Sequence, residues 1–238
     1  LGATNSDPYT NDSGPTMLGE NQNIFNNVIG GGNYDIGHVF STGGGGIAST
    51  PSVCNPFAKA RGVTGQANPV GDLFDIDYVA HEIGHQFGAN HTQNNNCNRN
   101  AATAMEPGSA NTIMGYAGIC APNVQTNSDA MFHYISILEI SDYFISNSNN
   151  TGNCAEEIPI LNAEPVVQAV PSYVIPQNTP FLLEADATDA NGDGLTYSWE
   201  QLDNEVVVMP PQSNSTGGPS FRAFLPTSSP IRYFPAMS

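Results

Sequence analysis

The sequence predicts an α+β domain over residues 1–155 followed by a small all-β sandwich over residues 156–238, and three observations carry that division. First, the run His81-Glu82-Ile83-Gly84-His85-Gln86-Phe87-Gly88-Ala89-Asn90-His91 lies in the first part, on a helix expected from Asp72 to Phe87. Second, composition shifts after the next expected helix: Asn147–Asn153 is polar, Cys154 follows, and Pro159 and Pro165 mark a linker. Third, strand-like runs follow at Pro165–Val170, Phe181–Ala187, Leu195–Gln201 and Glu205–Met209. Pro, Asn and Gly turns separate them, as in a small antiparallel sandwich.

Taken in order, residues 1–20 are polar and turn-rich, without periodicity. Asn21 to Ile29 reads as a short helix with Ile24, Phe25, Val28 and Ile29 on one side, stopped by Gly30-Gly31-Gly32. Tyr34 to Ser41 alternates like a strand, and Gly43 to Gly46 permits a bulge or a close backbone approach. His38 in that strand is expected to be a packed or solvated histidine rather than a ligand. Asp75 or Asp77 suits the dipole near the start of the Asp72–Phe87 helix. Thr92 to Thr112 is a loop rich in Asn, Ala and Gly. Asp129 to Ile145 is a second helix with an apolar face of Phe132, Ile135, Leu138, Ile140, Tyr143 and Phe144.

Bulk properties narrow the partners. The chain has 238 residues, room for one large domain or two ordinary ones. Its 22 acidic residues against five basic ones give a net charge of −17, which disfavours nucleic acid and anionic membranes. That surface leaves room for calcium sites, or serves as a salt-tolerant or cold-adapted secreted surface. Cys54, Cys97, Cys120 and Cys154 form an even set with no C-x-x-C pair. Two disulfides in an oxidising compartment fit them, with three connectivities open. No apolar run is long enough for a membrane-spanning helix. Leu1 is not a start methionine and no signal peptide precedes it, so a processed or excised piece is expected. Asn11 and Asn149 head glycosylation sequons, which matter only in a glycosylating host.

The histidine run satisfies H-E-x-x-H-x-x-G-x-x-H at every fixed position. On a helix His81 and His85 stand at i and i+4, so both imidazoles reach one cation. Glu82 is placed to act on a water at that cation and poorly placed to be a third ligand. Gly88 lets the chain leave the helix in a conformation closed to residues with a Cβ, which returns His91 as the third ligand. Three neutral imidazoles with one open position describe a catalytic Zn2+ site, since structural sites are closed by four protein ligands. The competing interpretations are a helix with solvated histidines, or a zinc site that only holds the fold. The chemistry expected is metal-assisted hydrolysis with Glu82 as general base.

Downstream, Asn111-Thr112-Ile113-Met114-Gly115-Tyr116 resembles the Met-turn of the metzincin metalloproteases, with Met114 as the floor of the zinc site. Gly45-Gly46-Ile47-Ala48 followed by Cys54 is similar to the strand-then-cysteine segment of the reprolysin/adamalysin branch and its bacterial relatives. The resemblance covers roughly residues 20–155. It implies a metzincin-type α+β catalytic domain that cleaves protein or peptide substrates. The substrate is expected to lie extended along the strand near His38–Ser41 and the Gly43–Ala48 bulge, with Gly46, Ile47 and Ala48 as its binding residues. The resemblance also implies disulfides Cys97–Cys120 and Cys54–Cys154, and an inhibitory prosegment or cleaved N-terminal fragment as partner. Three features depart from the pattern. Thr92 follows the third histidine where adamalysins carry aspartate. Tyr116 is instead similar to the astacin, serralysin and pappalysin arrangement, which implies a catalytic tyrosine; the alternative is a packing residue. Only about forty residues precede the Gly43–Ala48 strand, short of the usual upper subdomain, so a start lost by cleavage or truncation is expected.

Asp186 to Glu200 resembles a bacterial PKD- or cadherin-like immunoglobulin-type module. Asp189, Asn191, Asp193, Gly194 and Glu200 also satisfy an EF-hand pattern. Strand-like Leu195–Gln201 and the lack of flanking helices exclude the EF-hand itself and leave a candidate Ca2+ turn at Asp189, Asn191 and Asp193. The whole reads as a secreted zinc endopeptidase with an accessory module. The alternatives are an adhesion or polysaccharide-binding fragment with a vestigial protease domain, and a zinc hydrolase acting on a non-peptide bond.

Overall fold

Helix α1 (Gly14–Ile24) has a proline in its first turn, where the missing N–H costs nothing, and runs on into a wider π-helical segment (Phe25–Gly30). The computed structural model describes residues 7–148, 154, 156, 158–212 and 214–236. The helix thus starts well ahead of the expected Asn21. Its inner face is Met17, Leu18, Asn21 and Gln22, whereas Val28 and Ile29 are exposed. Two amides on that face hide its periodicity. They are buried because they are bonded: Asn21 Nδ2 donates to the Ala60 carbonyl at 2.7 Å, and the Ala60 N–H donates to Gln22 Oε1 at 2.8 Å.

Met17 and Leu18 pack on Val63 of a three-stranded sheet. Its strands β1 (Val39–Ser41), β2 (Gly45–Ala48) and β3 (Gly62–Gly65) lie in the order β1-β3-β2, with β3 parallel to β1 and antiparallel to β2. β1 is shorter than the Tyr34–Ser41 strand expected. The chain ahead of it pairs with a loop: the Gly37 N–H donates to the Lys59 carbonyl at 2.7 Å, and the Cys54 N–H to the Asp35 carbonyl at 2.9 Å. The buried β3 carries no alternation, so its sequence shows no strand signal.

The motif helix is one continuous helical stretch inside the expected Asp72–Phe87 span. It comprises α2 (Asp72–Phe74), a π-helical segment (Asp75–Ala80) and α3 (His81–Gln86). It closes in a Schellman turn: the Gly88 N–H donates to the His85 carbonyl at 2.9 Å and the Ala89 N–H to the Gly84 carbonyl at 3.0 Å. The turn needs Gly88 at φ 103°. Beneath the helix, Ala89, Ile113 and Met114 form a buried cluster flanked by Ile76, Ala80, Phe132 and Ile140.

Short strands β4 (Gln93–Asn94) and β5 (Glu106–Pro107) pair in parallel within the expected loop. Helix α4 (Tyr134–Ser148) begins later than Asp129, because that backbone is tied to the methionine segment. The Asp129 N–H donates to the Asn111 carbonyl at 2.7 Å, and the Ile113 N–H to the Met131 carbonyl at 3.0 Å. Disulfides join Cys54 to Cys154 and Cys97 to Cys120. Residues 149–153 of the expected linker lie outside the described residues. Among the described residues no helix is long and apolar enough to cross a membrane.

The C-terminal part departs most from expectation. It carries two small sheets: β6 (Val166–Val167) with β8 (Ala187–Thr188), and β7 (Phe181–Glu184) with β9 (Ile231–Phe234). Phe181 stacks on Phe234 at 4.7 Å, with Phe221 edge-on to both. No clear immunoglobulin-type sandwich forms among the described residues. Leu195–Gln201 contributes only an isolated bridge from Tyr197 to Thr227, and Glu205–Met209 is not a strand. The latter segment meets its backbone hydrogen-bonding need elsewhere. The Glu205 carbonyl accepts from Asn94 Nδ2 at 3.0 Å, and the Val207 N–H donates to Asn94 Oδ1 at 3.2 Å.

Candidate metal centre

Helix α3 presents His81 and His85 from adjacent turns, and the Schellman turn swings His91 back towards them. Each imidazole is held by a backbone carbonyl at Nδ1: Ile113 for His81 at 2.7 Å, Ala89 for His85 at 2.7 Å and Asn98 for His91 at 3.0 Å. A carbonyl can only accept, so Nδ1 carries the proton in all three rings and Nε2 keeps its lone pair. His85 Nε2 lies 3.1 Å from His91 Nε2. The ligand atoms of the three rings all fall within 4.8 Å of one another, and among the described residues no other His, Cys, Asp or Glu group of three does so.

Burial keeps these rings neutral. It lowers the pKa of His81 to about 3, helped by His85 and His91, and that of His85 to about 4, helped by His91. His91 is lowered as well, again mainly by burial. Glu82 moves the other way: burial raises its carboxyl to about 8. Its Oε2 is buried with no hydrogen-bond partner among the described residues. The three imidazoles, each free to offer one nitrogen to a common point, fit a metal such as zinc.

Met114 is fully buried beneath the helix, in the cluster with Ala89 and Ile113. A Cβ on Gly84 would stand 2.5 Å from the Met114 sulfur, so the helix passes this side chain only because residue 84 is glycine. The ring of Tyr116 lies 4.6 Å from that of His91 and 5.8 Å from that of His81, and its hydroxyl accepts from Asn98 Nδ2 at 3.1 Å. Gly46 of β2 backs onto Glu82: a Cβ there would overlap the carboxyl group. Ile47 and Ala48 follow on the same strand, half-buried. His38 is far from this centre in role. Its Nδ1 meets Gln86 Oε1 at 2.6 Å and its Nε2 meets Thr64 Oγ1 at 2.8 Å, joining β3 to the back of α3.

The candidate calcium residues lie in one turn. Asp189 Oδ1 accepts the N–H groups of Asn191 and Asp193 at 2.8 and 3.0 Å, and Asn191 Oδ1 accepts from Ala163 at 2.7 Å. These bonds describe a self-supporting turn.

Residues 2–92 match the family described as metallo-peptidase family M12B, reprolysin-like. That stretch is similar to reprolysin-like metallopeptidases. The match contains all three histidines and ends one residue beyond His91, so Met114, Tyr116 and the C-terminal part lie outside it.

Two residues that hold the centre together escape a motif-based reading. Glu106 is 1% exposed and its carboxylate accepts four hydrogen bonds. Two come from the Asn111 and Thr112 N–H groups, both at 3.1 Å, and two from the Thr92 and Thr112 hydroxyls, both at 2.5 Å. It thereby staples the residue after His91 to the segment whose Ile113 carbonyl aims His81. One signal was available: in this acidic chain Glu106 is the lone carboxylate between Glu82 and Asp129. The other is Asn98, whose carbonyl aims His91 while its amide holds Tyr116; nothing in an Asn-rich loop distinguishes it beforehand.

Proposed function

We propose that the chain is a secreted zinc-dependent endopeptidase. The observation that carries this reading is the convergence of the His81, His85 and His91 imidazoles on the helix that also carries Glu82, whose carboxyl lies against Gly46 of the edge strand β2. His81, His85 and His91 would hold the zinc. When bound there, zinc supplies Lewis acidity that polarises a carbonyl and makes a water more acidic. Glu82 takes the proton of the attacking water and passes it to the leaving amine. The Tyr116 oxygen already accepts from Asn98, which leaves its own O–H free to donate towards a developing oxyanion.

An extended peptide suits the surroundings. β2 is an edge strand, so its outer side can pair with an added strand at Gly46, Ile47 and Ala48. A cavity of about 370 Å³ runs beside it, between Gly43–Ile47 and Asn11–Pro15, with Met17 and Val63 among its lining residues. Two disulfides suit an oxidising, extracellular compartment.

The test compares zinc-loaded wild type with zinc-loaded Glu82→Gln on casein, reading new amino termini and zinc stoichiometry. Equal zinc content with a loss of at least about a hundredfold in cleavage is expected for a missing general base. Undiminished cleavage by Glu82→Gln would overturn the role of Glu82, and a wild type that binds no zinc would overturn the centre. Zinc bound by both without cleavage by either would favour a vestigial domain in an adhesion fragment.

A further inference from the structure

The loop that aims His91 is gripped from outside by the C-terminal part of the chain. Residues 92–104 carry Asn98, whose carbonyl meets His91 Nδ1 and whose amide meets the Tyr116 hydroxyl. Asn98 itself sits at φ 48°, a left-handed conformation that the surrounding contacts must hold. On the inner side the Cys97–Cys120 disulfide and the bond from Thr103 Oγ1 to the His91 carbonyl, at 2.6 Å, fix the loop. On the outer side the fixing groups belong to residues 204–207. Asn204 Nδ2 donates to the Ala101 and Ala102 carbonyls at 2.9 and 3.2 Å, and Arg99 Nη2 donates to the Asn204 carbonyl at 2.5 Å. Glu205 and Val207 bracket Asn94 at the loop's start through both ends of its amide.

We propose that residues 204–207 are a positioning element for the third metal ligand, so that the C-terminal part completes the metal centre. Asn204 acts through Ala101 and Ala102 on the loop, the loop through Asn98 on His91 and Tyr116. Asn204 is a positioning residue and touches neither metal nor substrate. This inference rests on the zinc-site reading above.

The experiment measures zinc affinity by chelator competition, and the visible spectrum of the Co2+-loaded protein, for wild type, Asn204→Ala and Asn204→Asp in the whole chain. Groups bonded directly to a ligand histidine shift metal affinity by about 10–100-fold when lost, so one contact further out a loss of about 3–10-fold is expected for Asn204→Ala. Asn204→Asp keeps the shape but turns an acceptor towards two carbonyls, so its loss should be larger. The cobalt spectra should shift in the same order, whereas a merely structural role would lower the melting temperature of the metal-free protein and leave the spectrum unmoved. Arg99→Ala removes a second contact between the loop and residue 204, the bond to the Asn204 carbonyl, and should weaken zinc binding likewise, should the Asn204 variants fold poorly. Wild-type affinity and spectrum in Asn204→Asp, or in both Asn204→Ala and Arg99→Ala, would overturn the proposal. Failure of wild type to bind zinc would instead overturn the proposed function on which it stands.

Discussion

Replacing Glu106 separates a buried staple from an incidental loop acidic residue. In Glu106→Gln the new amide can keep its oxygen towards the Asn111 and Thr112 N–H groups and turn its NH2 towards the Thr92 and Thr112 hydroxyls. Both hydroxyls must then accept instead of donate. Hydrogen bonds to a charged group are worth about 1.5–3 kcal/mol against about 0.5–1.5 for neutral pairs, so weakening of the two hydroxyl bonds alone costs about 2–3 kcal/mol. Glu106→Ala strands two buried N–H groups at about 1–3 kcal/mol each and leaves a cavity, a cost of about 4 kcal/mol or more. That is a large share of the 5–15 kcal/mol that holds a typical domain together. For a chain of this length about 2–4 °C is lost per kcal/mol, which gives a drop of about 4–12 °C for the Gln variant and a larger one for Ala. Thermal unfolding of the metal-free protein, followed by far-ultraviolet circular dichroism, reads both. A Gln variant melting within about a degree of wild type, or an Ala variant milder than Gln, would show that the four bonds do not carry the weight given to them.

Gly84→Ala should destabilise the protein despite the higher helix propensity of alanine. The added Cβ would stand 2.5 Å from Met114 Sδ and 3.3 Å from Phe132, and overpacking of about 1–3 kcal/mol exceeds or cancels the propensity gain of about 1 kcal/mol. A higher denaturation midpoint in the variant would refute the close approach of Met114 to α3. The metal-free protein should also lose stability on both sides of mildly acidic pH. His81 and His85 are depressed from 6.5 to about 3 and about 4, so the unfolded chain takes up their protons first and stability falls as pH drops below 6.5. Glu82 is raised from 4.5 to about 8, so the unfolded chain ionises it first and stability falls as pH rises from 4.5 towards 8. Melting temperature against pH, with and without Glu82→Gln, checks this: the variant should flatten the alkaline arm and steepen the acid arm between pH 4.5 and 6.5, where the Glu82 contribution opposes that of the histidines. An unchanged alkaline arm would mean that Glu82 is not the buried acid responsible.

What the sequence by itself determined is the local geometry. The i, i+4 spacing of His81 and His85, the positive φ at residue 88 that glycine accommodates, and the helix that carries them follow from short-range backbone sterics, so eleven consecutive residues announce them. The groups that hold this geometry in place were not legible, because their partners are distant along the chain and their side chains are ordinary polar ones. Asn21 and Gln22 sit on the inner face of α1, and its apolar pattern is therefore broken; their bonds to Ala60 are visible only once β3 is in place. Glu106 gains its meaning from Thr92, Asn111 and Thr112 folding around it. The strand-like reading of Glu205–Met209 failed for the same reason. Alternation and turn signals say that a segment is extended, but not whether its backbone will pair with a neighbouring strand or with the amide of Asn94 more than a hundred residues earlier. Spacing fixes which atoms can meet within a few turns of helix; only the packed chain decides which carbonyl aims each imidazole and what keeps that carbonyl still.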